Sequence, residues 1–183
     1  MPQSRSLPAP LISPAAFAPY GQVITATADG KPFDDHDAQL VLSPGVPRFY
    51  LMTLKARGRH FHRITRHQRC TQCLGSLGGK SWFMAVCPPS QGDRPDLAQL
   101  RAFTIPGSCF IKLHVGTWHA GPYFEPEAGE LGRGEEGMGN GEGNDRPSSA
   151  MVFYNLELSD TNVTDHQTYD WATQEGLSFE IQP

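Results

Sequence analysis

Arg101-Ala-Phe-Thr-Ile-Pro-Gly-Ser-Cys-Phe-Ile-Lys-Leu-His-Val-Gly-Thr-Trp-His119 is the stretch whose reading decides the fold. Two runs, Arg101–Ile105 and Phe110–His114, flank Pro106-Gly107, and Gly116 punctuates the chain again before His119. Runs this short, bounded by turn residues, read as strands and not as helices. The same grammar extends outward. Gln22–Thr27, Ala38–Leu42, Arg48–Leu54, Phe61–Thr65, Gln72–Leu74, Trp82–Val86, Met151–Leu158 and Phe179–Ile181 are further predicted strands. Helix is confined to turns: Ser13 and Pro14 read as a cap and first helical position over 13–19, and Asp96–Leu100 adds at most one more turn. The 19 Gly and 16 Pro in 183 residues fit an all-β chain with frequent turns, a sandwich or small barrel. The length predicts one domain over 1–183.

Composition removes whole classes of function. Hydrophobic residues make up 38% and aromatics 10%, enough for a core and too many for a wholly disordered chain. No run approaches the roughly 18 apolar residues of a membrane span, and Met1–Pro10 lacks the apolar stretch of a secretory signal. A net charge of −4 argues against a nucleic-acid partner. Cys70, Cys73, Cys87 and Cys109 read as small buried thiols of a reducing compartment, which points to the cytoplasm. Cys70-Thr-Gln-Cys73 has no second pair to complete a zinc site. From Glu125 to Ser149 seven acids face two bases among seven glycines, so a flexible, solvated loop is expected there.

The histidines carry the chemical signal. His60 and His62 have the spacing of neighbours on one strand face, and His67 follows closely. His114 and His119 bracket the turn at Gly116. A histidine beside a turn at the mouth of a barrel is a candidate ligand or acid/base group, since it titrates near neutrality.

His114-Val-Gly-Thr-Trp-His119 resembles the second cupin motif, matching its glycine and terminal histidine. A closer resemblance is to the ureidoglycolate lyase family, a modified cupin. It is carried by Leu11-Ile-Ser-Pro-Ala-Ala-Phe-Ala-Pro-Tyr-Gly-Gln-Val-Ile24, by Arg66, His67, Gln72 and Gly78 in step, by Arg94-Pro-Asp-Leu-Ala-Gln-Leu-Arg-Ala-Phe103, and by His114 with Trp118-His119. Three features depart from the family. Thr65 stands at its glutamate position, the acidic loop is long, and Asp160-Thr-Asn-Val-Thr-Asp-His166 differs.

The resemblance implies an all-β, cupin-like double-stranded β-helix, a jelly-roll barrel with a few short helical turns. It also implies a homodimer acting on a small molecule. The implied activity is that of a carbon–nitrogen lyase splitting ureidoglycolate into glyoxylate and urea in ureide nitrogen catabolism. His67, Gln72, His114 and His119 are the expected catalytic residues, on one interior pocket. Lys112 and Arg66 are expected to bind substrate, Lys112 through the carboxylate. His67, Gln72 and His119 are also the candidate ligands of a divalent metal (Zn, Mn or Ni), a weak set without a carboxylate and not required by the chemistry. A non-catalytic or differently specific cupin that binds a small ureide or organic acid is the alternative, and Thr65 favours it.

Overall fold

The computed structural model describes residues 2–126 and 150–183, so the expected acidic loop lies, beyond Glu125 and Pro126, outside the described residues. In chain order the elements are β1 (Gln3–Pro8), α1 (Pro14–Phe17), β2 (Gly21–Thr25), β3 (Pro47–Lys55), β4 (His60–Phe61) and β5 (Arg63–Arg66). They continue with β6 (Gln72–Ser76), β7 (Trp82–Cys87), β8 (Arg101–Ile105), β9 (Cys109–Leu113), β10 (Trp118–Tyr123) and β11 (Ala150–Leu158). The chain closes with α2 (Thr161–Thr164), β12 (Gln167–Asp170), α3 (Trp171–Glu175) and β13 (Leu177–Gln182). Ser13 caps α1 as expected, its hydroxyl accepting from Ala16 N at 3.3 Å.

The all-β, cupin-like expectation holds, and the barrel is not closed. Hydrogen bonds run within two five-stranded sheets, ordered β12-β5-β10-β7-β8 and β2-β9-β6-β11-β3, and among the described residues no strand of one pairs with a strand of the other. The result is a β-sandwich, consistent with a cupin fold. A third sheet, β1-β13-β4, covers the outer face of the first. Its β1 pairs in parallel with β13, an element that the polar Gln3–Pro8 gave no reason to expect. The strand β10 also escaped the sequence reading, because Gly121-Pro122 near its end reads as a breaker. Ala38–Leu42 forms no strand. Gln22 holds this stretch from the side, accepting from Gln39 N and donating to the Asp37 carbonyl.

Alternation decides what each face buries. Trp82, Met84 and Val86 of β7 and Phe103 and Ile105 of β8 meet Leu74, Ile111, Leu113, Met151 and Phe153 of the opposing sheet. Ala85, Cys87, Ala102 and Trp118 point the other way, toward Phe179, Ile181 and Trp171. Each large side chain so buried contributes roughly 1.5–3 kcal/mol of transfer free energy.

Candidate functional site

Toward one end of the sandwich the interior is not filled. A cavity of about 480 Å³ opens between the two main sheets, within the size range of small-molecule sites. The β5–β10 sheet contributes Arg63, Thr65 and His119. Facing them stand Tyr50 and Met52 of β3, Gln72 of β6, and Asn155 and Glu157 of β11. His67, His166 and Arg57 from the connections, with Asn162 of α2, complete the wall.

Two histidines far apart in sequence are brought together by one turn. Gly116 adopts φ +82°, a left-handed conformation that glycine takes without a Cβ clash. Its N–H donates to the His67 carbonyl at 2.6 Å, tying the β9–β10 turn to the segment after β5. The His67 and His119 rings end with centroids 5.1 Å apart. His67 Nδ1–H donates to the Asp165 carbonyl, and His119 Nδ1–H donates to the Thr117 carbonyl at 3.2 Å. In the neutral form of either ring this tautomer leaves the lone pair on Nε2, able to accept a proton or bind a Lewis acid. Burial, reinforced by the neighbouring His67, pushes His119 down to about 3, so it is a neutral imidazole at any ordinary pH. The sequence alone suggested a group poised near 6.5, able to serve as either base or protonated donor; desolvation leaves it neutral at rest, so any proton it gives is one it has first taken.

The segment Asp160–His166, which departs from the family, turns out to build this site. The Asp165 carboxylate accepts from Gln68 N at 2.7 Å and Arg69 N at 2.8 Å, clamping the backbone next to His67. His166 sits with its ring 5.7 Å from His67 and is pushed down by burial and by that neighbour.

Glu157 went unnoticed in the sequence. It is 1% exposed and accepts from Gln72 Nε2 at 2.9 Å, Tyr50 Oη at 3.1 Å and Asn162 Nδ2 at 3.2 Å. The expected absence of a carboxylate beside Gln72 is thus corrected. The available signal was parity: Met151, Phe153, Asn155 and Glu157 alternate on one face of a strand otherwise apolar there.

Three placements differ from the sequence reading. Lys112 does not face the cavity. On β9 the inward parity belongs to Cys109, Ile111 and Leu113, which leaves Lys112 on the opposite face beside Cys73. It is buried there, donating from Nζ to His114 Nδ1 at 3.0 Å, and burial lowers its pKa. His114 is drawn off with it, donating from Nε2 to the Ala18 carbonyl at 3.2 Å, and it does not line the main cavity. It borders only a minor crevice behind His67, Gln72 and His119. Arg66 is likewise turned away. Its guanidinium lies 4.4 Å from the Trp118 ring and donates to Gln167 Oε1, the Ser90 carbonyl and Asp93. A guanidinium with its donors occupied in this way is a structural group.

At the mouth, His60 and His62 both line the cavity, although the chain breaks between β4 and β5 beside them. His62 Nδ1 pairs with Asp170 at 3.0 Å, as does Arg63 Nε at 2.9 Å, and both hold the Asp170 carboxyl well below the usual range. Arg57 lies 4.9 Å over the Tyr123 ring, and among the described residues no carboxylate pairs with it.

Residues 43–123 match the family model described as ureidoglycolate lyase. Over that stretch the chain is similar to the ureidoglycolate lyase family. The match spans Thr65, His67, Gln72 and His119, the part of the ureidoglycolate lyase-like chain that forms much of the cavity wall. The family is one of enzymes, and the match supports a ureidoglycolate lyase-like activity on a small molecule. No curated protein matches the chain. Among the described residues no helix is long and apolar enough to cross a membrane.

No three His, Cys, Asp or Glu side chains among the described residues converge closely enough to hold a metal ion. Two imidazoles and the Gln72 amide remain the only expected set, and Glu157 is engaged by three donors. Among the described residues these side chains do not form a ready metal cage.

Proposed function

We propose that the cavity cleaves ureidoglycolate to glyoxylate and urea by a proton relay between His67 and His119. The observation that carries this reading is the meeting of two imidazole rings at one cavity, each with its Nδ1 on a backbone carbonyl, in a chain that matches this family's model over residues 43–123. The substrate carbon bears a hydroxyl, a carboxylate and the ureido nitrogen. An imidazole Nε2 takes the hydroxyl proton. The oxygen's electron pair then closes the carbonyl of glyoxylate, and the C–N bond electrons leave with urea. The same proton passes to that nitrogen, so no net proton is consumed. A neutral, buried imidazole is suited to the return step, because its imidazolium gives the proton up readily.

Arg57 takes the role that the sequence gave to Lys112 and Arg66, binding the carboxylate at the mouth through a charge-assisted bond. Gln72 meets the ureido group. Thr65, at the family's glutamate position, faces His119 across the strand pair and supplies a hydroxyl there, not a general base. The test is stoichiometric release of glyoxylate and urea from racemic ureidoglycolate by the purified chain, with and without Zn, Mn or Ni. Binding of a ureide without turnover supports the non-catalytic reading instead.

We also propose a place in allantoin nitrogen catabolism, a cytoplasmic location and a homodimer. Free thiols, three of them buried, support a reducing compartment. The outer face of β3 exposes Phe49 at 66% and Leu51 at 55%, with Tyr154 stacked on Phe49, an apolar strip that a second copy would cover. Light scattering at micromolar protein decides the oligomeric state.

A further inference from the structure

The deep wall of the cavity is polar, and its polarity runs in one direction. The Glu157 carboxylate accepts from three donors and offers none in return. That fixes every group around it. Gln72 must offer its NH₂ to Glu157 Oε2, at 2.9 Å, which leaves Gln72 Oε1 over. Tyr50 must donate its hydroxyl to Glu157 Oε1, at 3.1 Å, so the Tyr50 oxygen can accept in turn. It accepts from Asn155 Nδ2 at 2.9 Å, which leaves Asn155 Oδ1 over. Both leftover carbonyl oxygens are buried and have no partner among the described residues. Gln72 is 8% exposed and Asn155 is 1% exposed, and both line the cavity.

An unpartnered buried acceptor is costly to leave unmade, and two from adjacent strands on one wall mark where donors belong. We infer that Gln72 Oε1 and Asn155 Oδ1 form an acceptor-only subsite for N–H groups, held in that orientation by Glu157 and Tyr50. The ligand class is a urea or a monosubstituted urea, which presents several N–H donors on one planar group. The inference rests on the lyase reading for the substrate itself, and adds its orientation: the ureido end lies deep against β6 and β11, and the carboxylate end faces Arg57. A carboxylate placed deep would meet Glu157 and two carbonyl oxygens, all of like polarity. Glu157 is a positioning residue here, since it acts on the ligand through Gln72 and Asn155.

Ligand-observed NMR with urea and, separately, with glyoxylate tests this on the whole purified chain. Glu157→Gln keeps the shape but can donate as well as accept, so the amides lose their fixed direction. It should weaken urea binding about tenfold and leave glyoxylate within about twofold. Tyr50→Phe, which frees only Asn155, should weaken urea by a smaller factor, and it serves as the test if Glu157→Gln does not fold. Arg57→Gln should show the reverse pattern, with glyoxylate weakened and urea unchanged. Urea binding unaltered in a folded Glu157→Gln or Tyr50→Phe protein, or no urea binding by the wild type, overturns the subsite. Urea binding that depends on Glu157 in a wild type with no lyase turnover upholds the subsite while the lyase reading fails.

Discussion

The two ends of β11 face the same interior, yet one end closes it and the other leaves it open. Met151 and Phe153 pack against Trp82 and Phe124 in the core. Two and four residues on, Asn155 and Glu157 continue the same parity and line the cavity. Backbone and register are alike, with β3 paired along the whole strand. Only the side chains differ. The apolar end is held by burial. At the polar end each group is fixed by hydrogen bonds in a single direction, and the space between is kept for a ligand. A second contrast lies across the same sheet. Lys112 and Glu157 are both buried charges, at 2% and 1% exposure, on opposite faces. Lys112 meets His114 in a packed setting, whereas Glu157 anchors a network that borders open space.

Changes at the open end should affect chemistry, and changes elsewhere should not. The largest effect is expected from His67→Ala, which removes a positioned proton acceptor and should lower kcat by on the order of 10²–10⁴. Circular dichroism should show the fold retained, and a fall below tenfold would break the contrast. Next, Arg57→Gln should raise KM for ureidoglycolate roughly 10–100-fold with kcat nearly unchanged, the loss of one charge-assisted bond. Steady-state kinetics across substrate concentration separates the two constants.

A pH scan sharpens the comparison from the stability side. His119 sits at about 3 in the folded chain against about 6.5 unfolded, so between those values the unfolded chain binds more protons. Its neutral form is therefore tolerated fully above 6.5, and stability falls as pH drops through that window. His166 and His114 shift the same way. The Tm should fall by several degrees from pH 7 to pH 5, and His119→Gln should flatten the decline. The smallest effect is reserved for the other face of the sheet. Lys112→Met should leave kcat/KM within about twofold, because the side chain touches His114 and not the cavity. A large rise in KM would restore Lys112 as the carboxylate anchor.

The sequence made part of this legible. His67, Gln72 and His119 stood in recognisable motifs, and Gly116 marked the turn that joins them. Lys112 was misplaced because equal parity with His114 says nothing about which face is inside. Its neighbours Cys109, Ile111 and Leu113 carried that information. Arg66 lies next to His67 in sequence and therefore points to the other side. Asn155 and Glu157 were readable as inward by alternation, but nothing local announced that Glu157 would meet Gln72, 85 positions away. Asp165 and His166 had no periodic signal, since α2 is a four-residue turn between a strand end and β12.

Glyoxylate and urea released together from racemic ureidoglycolate is the measurement closest to the central claim, run on the wild type, His119→Ala and His62→Ala, each checked for folding. The account predicts equimolar products from the wild type, a loss on the order of 10²–10⁴ in His119→Ala, and a far smaller loss in His62→Ala. Equal rates in all three proteins, or no product from the wild type with metal and without, would contradict it.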